Sequence, residues 1–292
     1  RRRDFLGALS GAAAMWPLAA RAQERMRRVG VLMGQPAGDP VVQARKAAFL
    51  QGMQELGWTV GHNVQIEYRW DPGHADQTRR NAAELVALAP DVILSTGGIS
   101  MGPLLQATRT VPIVFVQVTD PVGAGYVESL ARPGGNATGF TTFEFGTSGK
   151  WLELLKEIAP RITRVAVLRE AALPLGMGQL GAIQSVAPSF GVELRPVGVA
   201  DANEIGITAF ARDPNGALIV TVGPGAIRHR EIIIRLAAQH KFPAVYAYRL
   251  FATDGGLIAY GPDTIEPYRR AAGYVDRILK GEKPADLPVQ AP

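Results

Sequence analysis

Short apolar runs alternate with amphipathic stretches along this chain. The run from Val29 to Met33 has the length of a strand. Val42, Phe49 and Met53 then recur on one face of a helix, and Gly57 suits the position just past the end of that helix. The same alternation of strand and helix continues downstream, which predicts an α/β fold.

Several of the predicted strands are apolar at successive positions. Val92 to Leu94 and Ile113 to Val116 show this pattern in the first half of the chain, and Val165 to Leu168 and Leu218 to Val222 show it in the second half. Strands of this kind are covered on both faces, as in a parallel sheet. Two such strand–helix series in tandem predict two doubly wound parallel-sheet α/β domains.

The join between the two series is predicted within residues 131–150, a stretch rich in Gly and Thr. In the second series, the clearest helical pattern runs from Ile227 to His240. Asp263 can cap a final helix, because Glu266 follows it at the spacing of a capping box.

The first residues have the features of an export leader. A basic cluster, Arg1 to Arg3, precedes a short apolar stretch, and Ala20-Arg21-Ala22 has the form of a signal-peptidase site. Residues 2–6 (RRDFL) resemble the twin-arginine export signal. The sequence therefore predicts a cleavable signal over residues 1–22 and a periplasmic location. An amphipathic helix kept in the mature protein is the alternative.

The composition argues against several classes of protein. The chain of 292 residues has no cysteine and four histidines, which excludes thiolate chemistry and leaves little for a metal site. Four of the 31 basic and one of the 26 acidic residues lie in the leader, so the formal charge of +5 falls to +2 for the rest. This balance argues against a nucleic-acid partner. No complete dinucleotide or Walker A loop is present, and no cofactor is expected.

Polar residues follow the predicted strands, at the edge where open parallel sheets bind their ligands. The backbone N–H groups of Gly97 and Gly98 precede a helix and suit a carboxylate or phosphate. Asp120 could accept from an ammonium group, so the set suits a zwitterion such as an amino acid. Each residue is also an ordinary cap or turn residue. The full set of predicted ligand-binding residues is Gln35, Ser95, Thr96, Gly97, Thr119, Asp120, Thr142, Glu170, Gly223 and Tyr246.

A second motif offers an enzymatic alternative. Residues 98–102 (GISMG) match the G-x-S-x-G turn of serine hydrolases, with Ser100 as the nucleophile. Such an enzyme needs a histidine and an acid later in the chain. His229 and His240 are the candidates, but no acid is obviously placed to orient either of them.

Longer stretches resemble a family of bacterial ABC-transporter substrate-binding proteins that includes tryptophan and phenylalanine binders. These stretches are residues 61–70 (GHNVQIEYRW), 118–123 (VTDPVG), 130–139 (LARPGGNATG), 255–261 (GGLIAYG), 268–272 (YRRAA), 278–281 (ILKG) and 284–288 (PADLP). The resemblance implies a type I periplasmic-binding fold, in which two α/β lobes are joined by crossover strands and enclose a ligand cleft. Where members usually show an Asn-Pro pair, this chain has Arg169-Glu170.

The resemblance also implies the function. The chain is expected to be the solute-binding component of an ABC importer that clamps a small amino-acid-like or aromatic carboxylate ligand. It would deliver this ligand unchanged to a permease in the inner membrane, working as a monomer and without catalysis. A sugar-sensing repressor shares the fold, but it would carry a DNA-binding helix-turn-helix where this chain has its leader.

The resemblance gives expected lobe boundaries. Lobe 1 is expected to comprise residues 27–140 plus 264–284, and lobe 2 residues 141–263, with hinges near 139–142 and 261–263. Relatives continue past the position of Pro292 into one more strand and helix, so a truncated C-terminal segment of lobe 2 is expected.

Overall fold

The computed structural model describes residues 25–70, 74–141, 145–171, 174–199 and 204–291. The predicted signal over residues 1–22 and the predicted ligand-binding residue Thr142 lie outside these ranges. None of the described helices is long and apolar enough to cross a membrane.

The first sheet contains five parallel strands. They are β1 (Arg27–Met33), β2 (Val64–Trp70), β3 (Val92–Thr96), β4 (Ile113–Val118) and β5 (Ala137–Thr141), in the order β2-β1-β3-β4-β5. The helices between these strands are α1 (Pro40–Glu55), α2 (Ala75–Ala87) and α3 (Gly98–Ala107). Phe49 and Met53 of α1 are buried on one face of the sheet, and Met101 and Leu104 of α3 on the other.

The second sheet repeats this arrangement. Its strands are β6 (Arg164–Arg169), β7 (Glu193–Gly198), β8 (Gly216–Val220), β9 (Ala244–Tyr246) and β10 (Ile258–Ala259), in the order β10-β9-β8-β6-β7. Its helices are α4 (Ser148–Ile158), α5 (Pro174–Val186), α6 (Glu204–Phe210), α7 (Pro224–Arg228), α8 (Arg230–Gln239) and α9 (Arg249–Thr253). All pairings are parallel. The prediction of two doubly wound parallel-sheet lobes is confirmed.

The last helix returns to the first lobe. This helix, α10 (Glu266–Leu279), follows β10 in the chain but packs on α1. The two helices approach closely at Gly52, where a Cβ atom would lie 2.8 Å from the Cβ of Ala272. The start of α10 is capped by Asp263, whose Oδ1 accepts from the backbone N–H groups of Ile265 at 2.7 Å and Glu266 at 3.1 Å. The capping role predicted for Asp263 is confirmed.

Two element predictions need correction. The stretch 131–150 is not only a connection, because its central part forms the buried strand β5. The helix predicted from Ile227 to His240 is interrupted at His229, whose φ of −100° and ψ of 14° lie outside the helical range, so that α7 and α8 are separate helices.

The chain segment after α10 also lies against the first lobe. The hydroxyl of Thr138 in β5 donates to the carbonyl oxygen of Leu287. The backbone of Gln290 donates to Gly139 at 2.9 Å and accepts from Thr141 at 2.8 Å. Residues 287–290 therefore cover the outer edge of the first sheet, which would otherwise expose unpaired backbone groups.

Candidate functional site

A tyrosine of the second lobe reaches the first lobe at the carboxyl ends of the strands. Tyr248 follows β9 and its side chain is only 7% exposed. Arg45 and Tyr268, both in the first lobe, lie close enough to shift the pKa of Tyr248. Groups near the carboxyl ends of both sheets therefore lie within electrostatic range of this phenol.

The electrostatics of Tyr248 reflect groups from both lobes. Burial raises the pKa of Tyr248 to about 12, because an apolar surrounding disfavours the phenolate. The positive charge of Arg45 and a hydrogen bond from the backbone of Gly223 lower this pKa, whereas Glu170 and Tyr268 raise it. Tyr248 is consequently a neutral hydrogen-bonding group at physiological pH.

Arg45 is a buried cation on α1. Its side chain is 2% exposed, which is rare for arginine. One guanidinium nitrogen, Nη1, donates to Oε1 of Gln35 at 2.7 Å, and the guanidinium carbon lies 5.7 Å from the ring centroid of Tyr268. Helical side chains tilt toward the N-terminus of their helix, so Arg45 extends toward the end of β1, where Gln35 lies.

Arg45 has unused hydrogen-bonding capacity. Its Nε is buried and has no hydrogen-bond partner among the described residues. No ion pair joins Arg45 to a carboxylate in the described part of the chain. A buried charge is costly unless it is paired, so this guanidinium is a suitable site for an anion.

Thr96 and Tyr268 complete the first-lobe side of the site. The Thr96 hydroxyl accepts from the backbone N–H of Gly34 at 2.8 Å. Tyr268, on α10, donates its hydroxyl proton to Oε1 of Gln117 at 3.0 Å. Burial raises the pKa of Tyr268, while the charge of Arg45 and a hydrogen bond with Thr96 act in the opposite direction. The ends of β1, β3 and β4 and the helix α10 are thereby linked.

Glu170 forms the second-lobe side of the site together with two glycines. It follows β6, and its Oε1 accepts from the backbone N–H of Gly225 at 2.5 Å, at the start of α7. Side chains at Gly223 or Gly225 would overlap the Glu170 side chain. These glycines therefore let the carboxylate lie directly against the backbone that follows β8.

The structure brings some of the predicted ligand-binding residues together. Gln35 contacts Arg45, Thr96 contacts Tyr268, Gly223 hydrogen bonds to Tyr248, and Glu170 lies within electrostatic range of Tyr248. Gly97 lies next to Thr96 with a φ of +76°, which favours glycine at this position.

Other predicted residues have different surroundings. Tyr246 is 1% exposed and stacks on Phe251 within the second-lobe core, at a ring-centroid distance of 4.8 Å. Asp120 is exposed, and its Oδ1 accepts from the backbone N–H of Gly123 at 2.8 Å within its own turn. Thr119, beside it, is half-buried. Ser95 is fully buried, and its hydroxyl has no hydrogen-bond partner among the described residues.

Arg45, Tyr248 and Tyr268 are not among the ligand-binding residues predicted from the sequence, whereas the predicted Tyr246 lies in the second-lobe core. A signal for Arg45 was available, because it lies on the same helical face as Val42 and Phe49. A charged residue within an apolar helical stripe is unusual and suggests a buried role.

The structure gives the serine-hydrolase alternative no support. Ser100 is fully buried, and its hydroxyl donates to the carbonyl oxygen of Thr96 at 2.8 Å, one helical turn earlier. His229 and His240 flank α8 in the second lobe, whereas Ser100 belongs to α3 of the first. Among the described residues, no group of three or more His, Asp or Glu side chains could hold a metal ion.

Comparison with known proteins identifies the family. A family model described as "ABC transporter substrate binding protein" matches residues 30–292. The chain belongs to this family. Proteins of this kind bind small-molecule solutes outside the cytoplasm and work with an ABC permease.

Individual relatives agree with this assignment. A tyrosine-binding protein of Clostridioides difficile is 24% identical over 274 residues, covering 91% of this chain and 76% of the relative. A conserved domain protein of Vibrio cholerae has a TM-score of 0.83 and 26% identity, covering 92% of this chain and 90% of the other. An ABC domain of Streptococcus pneumoniae in complex with L-Trp has a TM-score of 0.80 and 23% identity, covering 91% and 88%. The family resemblance read from the sequence is confirmed.

Proposed function

We propose that this substrate-binding protein serves an ABC importer and holds a small amino-acid-like or aromatic carboxylate ligand between its lobes. The observation that carries the proposal is the position of Tyr248, a buried second-lobe residue whose phenol lies within electrostatic range of Arg45 and Tyr268 of the first lobe. Polar and aromatic groups from both lobes are thus available to one ligand.

An aromatic ligand is favoured by the chemistry of this region and by the relatives. Tyr248 and Tyr268 are both buried, and their rings can pack against an aromatic or other apolar side chain. One relative is named a tyrosine-binding protein, and another was solved with L-Trp. Gln35, Thr96 and Gly97 of the first lobe and Glu170 and Gly223 of the second are proposed to supply polar contacts.

Ligand binding is proposed to favour a closed arrangement of the lobes. A ligand that contacts both lobes stabilises the closed state relative to the open state, with no bond made or broken. The chain passes between the sheets after β5 and before α10, so the hinges are proposed near residues 139–142 and 261–263.

The cellular setting is part of the same proposal. Residues 1–22 would direct export, through a twin-arginine type of signal, to the periplasm, where the protein would act as a monomer. The bound solute would then be transferred unchanged to a permease in the inner membrane.

Isothermal titration calorimetry with a panel of solutes tests the proposed function. The panel contains L-tyrosine, L-phenylalanine, L-tryptophan, 4-hydroxyphenylacetate and the neutral polyol myo-inositol. We expect at least one aromatic carboxylate to bind with one molecule per chain and to be recovered unchanged by mass spectrometry. Absence of binding by every carboxylate would contradict the proposal. Turnover of a chromogenic ester that is lost in Ser100→Ala would favour the hydrolase alternative instead.

A further inference from the structure

The buried guanidinium of Arg45 has no counter-ion in the described part of the chain. The two groups it contacts, Oε1 of Gln35 and the ring of Tyr268, are uncharged. Glu170 of the second lobe accepts a hydrogen bond from the backbone N–H of Gly225, and it forms no ion pair with Arg45. A guanidinium held in this way has an unmet preference for a carboxylate or a similar anion.

The geometry around Arg45 fixes this guanidinium in place. Oε1 of Gln35 accepts a hydrogen bond from Nη1, and the guanidinium carbon lies 5.7 Å from the ring centroid of Tyr268. The buried Nε remains without a partner among the described residues. The fork of N–H donors is therefore oriented before a ligand arrives, which reduces the entropy lost on binding.

We infer that Arg45 binds the carboxylate of the transported solute and thereby selects carboxylates over neutral solutes and amines. The inference rests on the proposed function and deepens it, because it names the charged group that the ligand must carry. Tyr248 of the other lobe lies within electrostatic range of Arg45, so we expect a carboxylate bound at Arg45 to favour contact between the lobes.

The test pairs each ligand with an analogue that lacks the carboxylate. Wild-type protein is titrated calorimetrically with L-tyrosine, L-phenylalanine and L-tryptophan and with the matching amines tyramine, phenethylamine and tryptamine. We expect each amine to bind at least about 10-fold more weakly than its amino acid, because charge-assisted hydrogen bonds to the guanidinium are lost. This comparison uses only wild-type protein, so a folding defect in a variant cannot affect its result.

The second arm changes the arginine. We expect Arg45→Gln to weaken binding of the best amino acid about 10- to 100-fold and to leave the affinity for the matching amine nearly unchanged. A purely structural role for Arg45 would weaken both ligands equally. Arg45→Lys keeps the charge but loses the planar fork, so an intermediate affinity is expected.

Arg164 provides a matched control. Its guanidinium also lies over an aromatic ring, 4.6 Å from the centroid of Phe210. Unlike Arg45, it pairs with a carboxylate, Asp213, at 3.2 Å. It lies at the start of β6, at the opposite end of the strand from the carboxyl edge. Arg164→Gln is expected to bind the amino acid as tightly as wild type does.

Four results would overturn the inference. Equal binding of amino acid and amine by wild type, or wild-type affinity for the amino acid in Arg45→Gln, would show that Arg45 does not bind the carboxylate. Binding of myo-inositol alone would contradict the proposed carboxylate ligand and would overturn the inference with it, although the protein would still be a solute-binding protein. Failure of wild type to bind any solute of either panel would contradict the proposed function itself, and the inference would fall with it.

Discussion

Burial controls the protonation of the tyrosines near the strand ends. Burial raises the pKa of both Tyr246 and Tyr248 to about 12, from the usual 10.0. In the unfolded chain these phenols ionise at their usual pKa, whereas in the folded protein they stay neutral to higher pH. Their contribution to stability is therefore complete below about pH 10 and is lost as the pH rises toward 12.

This difference predicts an alkaline loss of stability to which Tyr248 contributes. Each such tyrosine should lower the free energy of unfolding by about 1.4 kcal/mol per pH unit in this range. We expect Tyr248→Phe to lose less stability than wild type between about pH 10 and pH 12, as measured by urea unfolding. Tyr260→Phe, which changes a tyrosine that is 43% exposed, is the control. Identical pH dependence of wild type and Tyr248→Phe would contradict this account.

Only part of the site could be predicted from the residues one by one. Thr96, Glu170 and Gly223 were predicted because they follow apolar runs closely and the ends of parallel strands meet at one edge, and their contact with a ligand stays a prediction. Tyr246 and Tyr248 could not be told apart, because the alternation of strand faces no longer applies once β9 ends at Tyr246. Arg45 does not follow a strand. It lies within α1, and its side chain reaches the strand ends from that helix, so a search of the residues that follow strands does not detect it.

At the level of elements, β5 depends on a glycine. Gly139 has a φ of +154°, and a Cβ atom there would overlap the backbone carbonyl oxygen of Phe115 in β4. The two strands can therefore pair at this spacing only without a side chain at position 139. β5 is also the last element before the chain crosses to the second lobe.

Substitution of this glycine should destabilise the protein. We expect Gly139→Ala to lower the free energy of unfolding by roughly 3 kcal/mol or more, because backbone atoms must move to relieve the overlap. The control is Gly135→Ala, since Gly135 is exposed and a Cβ atom there has nothing within 4 Å. That variant should stay within about 0.5 kcal/mol of wild type. Equal stability of the two variants, measured by urea unfolding, would contradict the role of Gly139.

The same strand shows why element prediction failed here. Residues 137–141 (ATGFT) contain one large apolar side chain, one glycine and two threonines, a composition that is typical of a connection. The segment becomes a strand because β4 lies on one side and residues 287–290 on the other. The second partner is about 150 residues away in sequence, so no local pattern could indicate it. The central strands, which are apolar along their length, were predicted well.

At the level of the whole molecule, each lobe has its own core. Trp151, Phe210 and Phe251 belong to the core of the second lobe. The apolar clusters of the first lobe contain no side chain from that second-lobe core. Among the described residues, no buried apolar cluster spans both lobes. The groups of the two lobes that approach each other around Tyr248 are polar and aromatic, which is compatible with lobes that separate and close as units.

The two-lobe architecture was predictable from the repeated strand–helix series, and the equal strand order of the two sheets agrees with it. The return of α10 to the first lobe was not contained in the hydrophobic pattern and came only from the family resemblance. The pattern shows that α10 has an apolar face but not which lobe covers it, because that depends on α1, more than 200 residues earlier. The exact lobe boundaries stay a prediction.

Closure of the two lobes around a solute is the central claim, and small-angle X-ray scattering tests it most directly. The radius of gyration of wild type is measured without ligand and with a saturating amount of the tightest-binding aromatic carboxylate. The claim predicts that the radius of gyration decreases when this ligand binds. An unchanged or larger radius of gyration at a concentration where calorimetry shows full occupancy would contradict it.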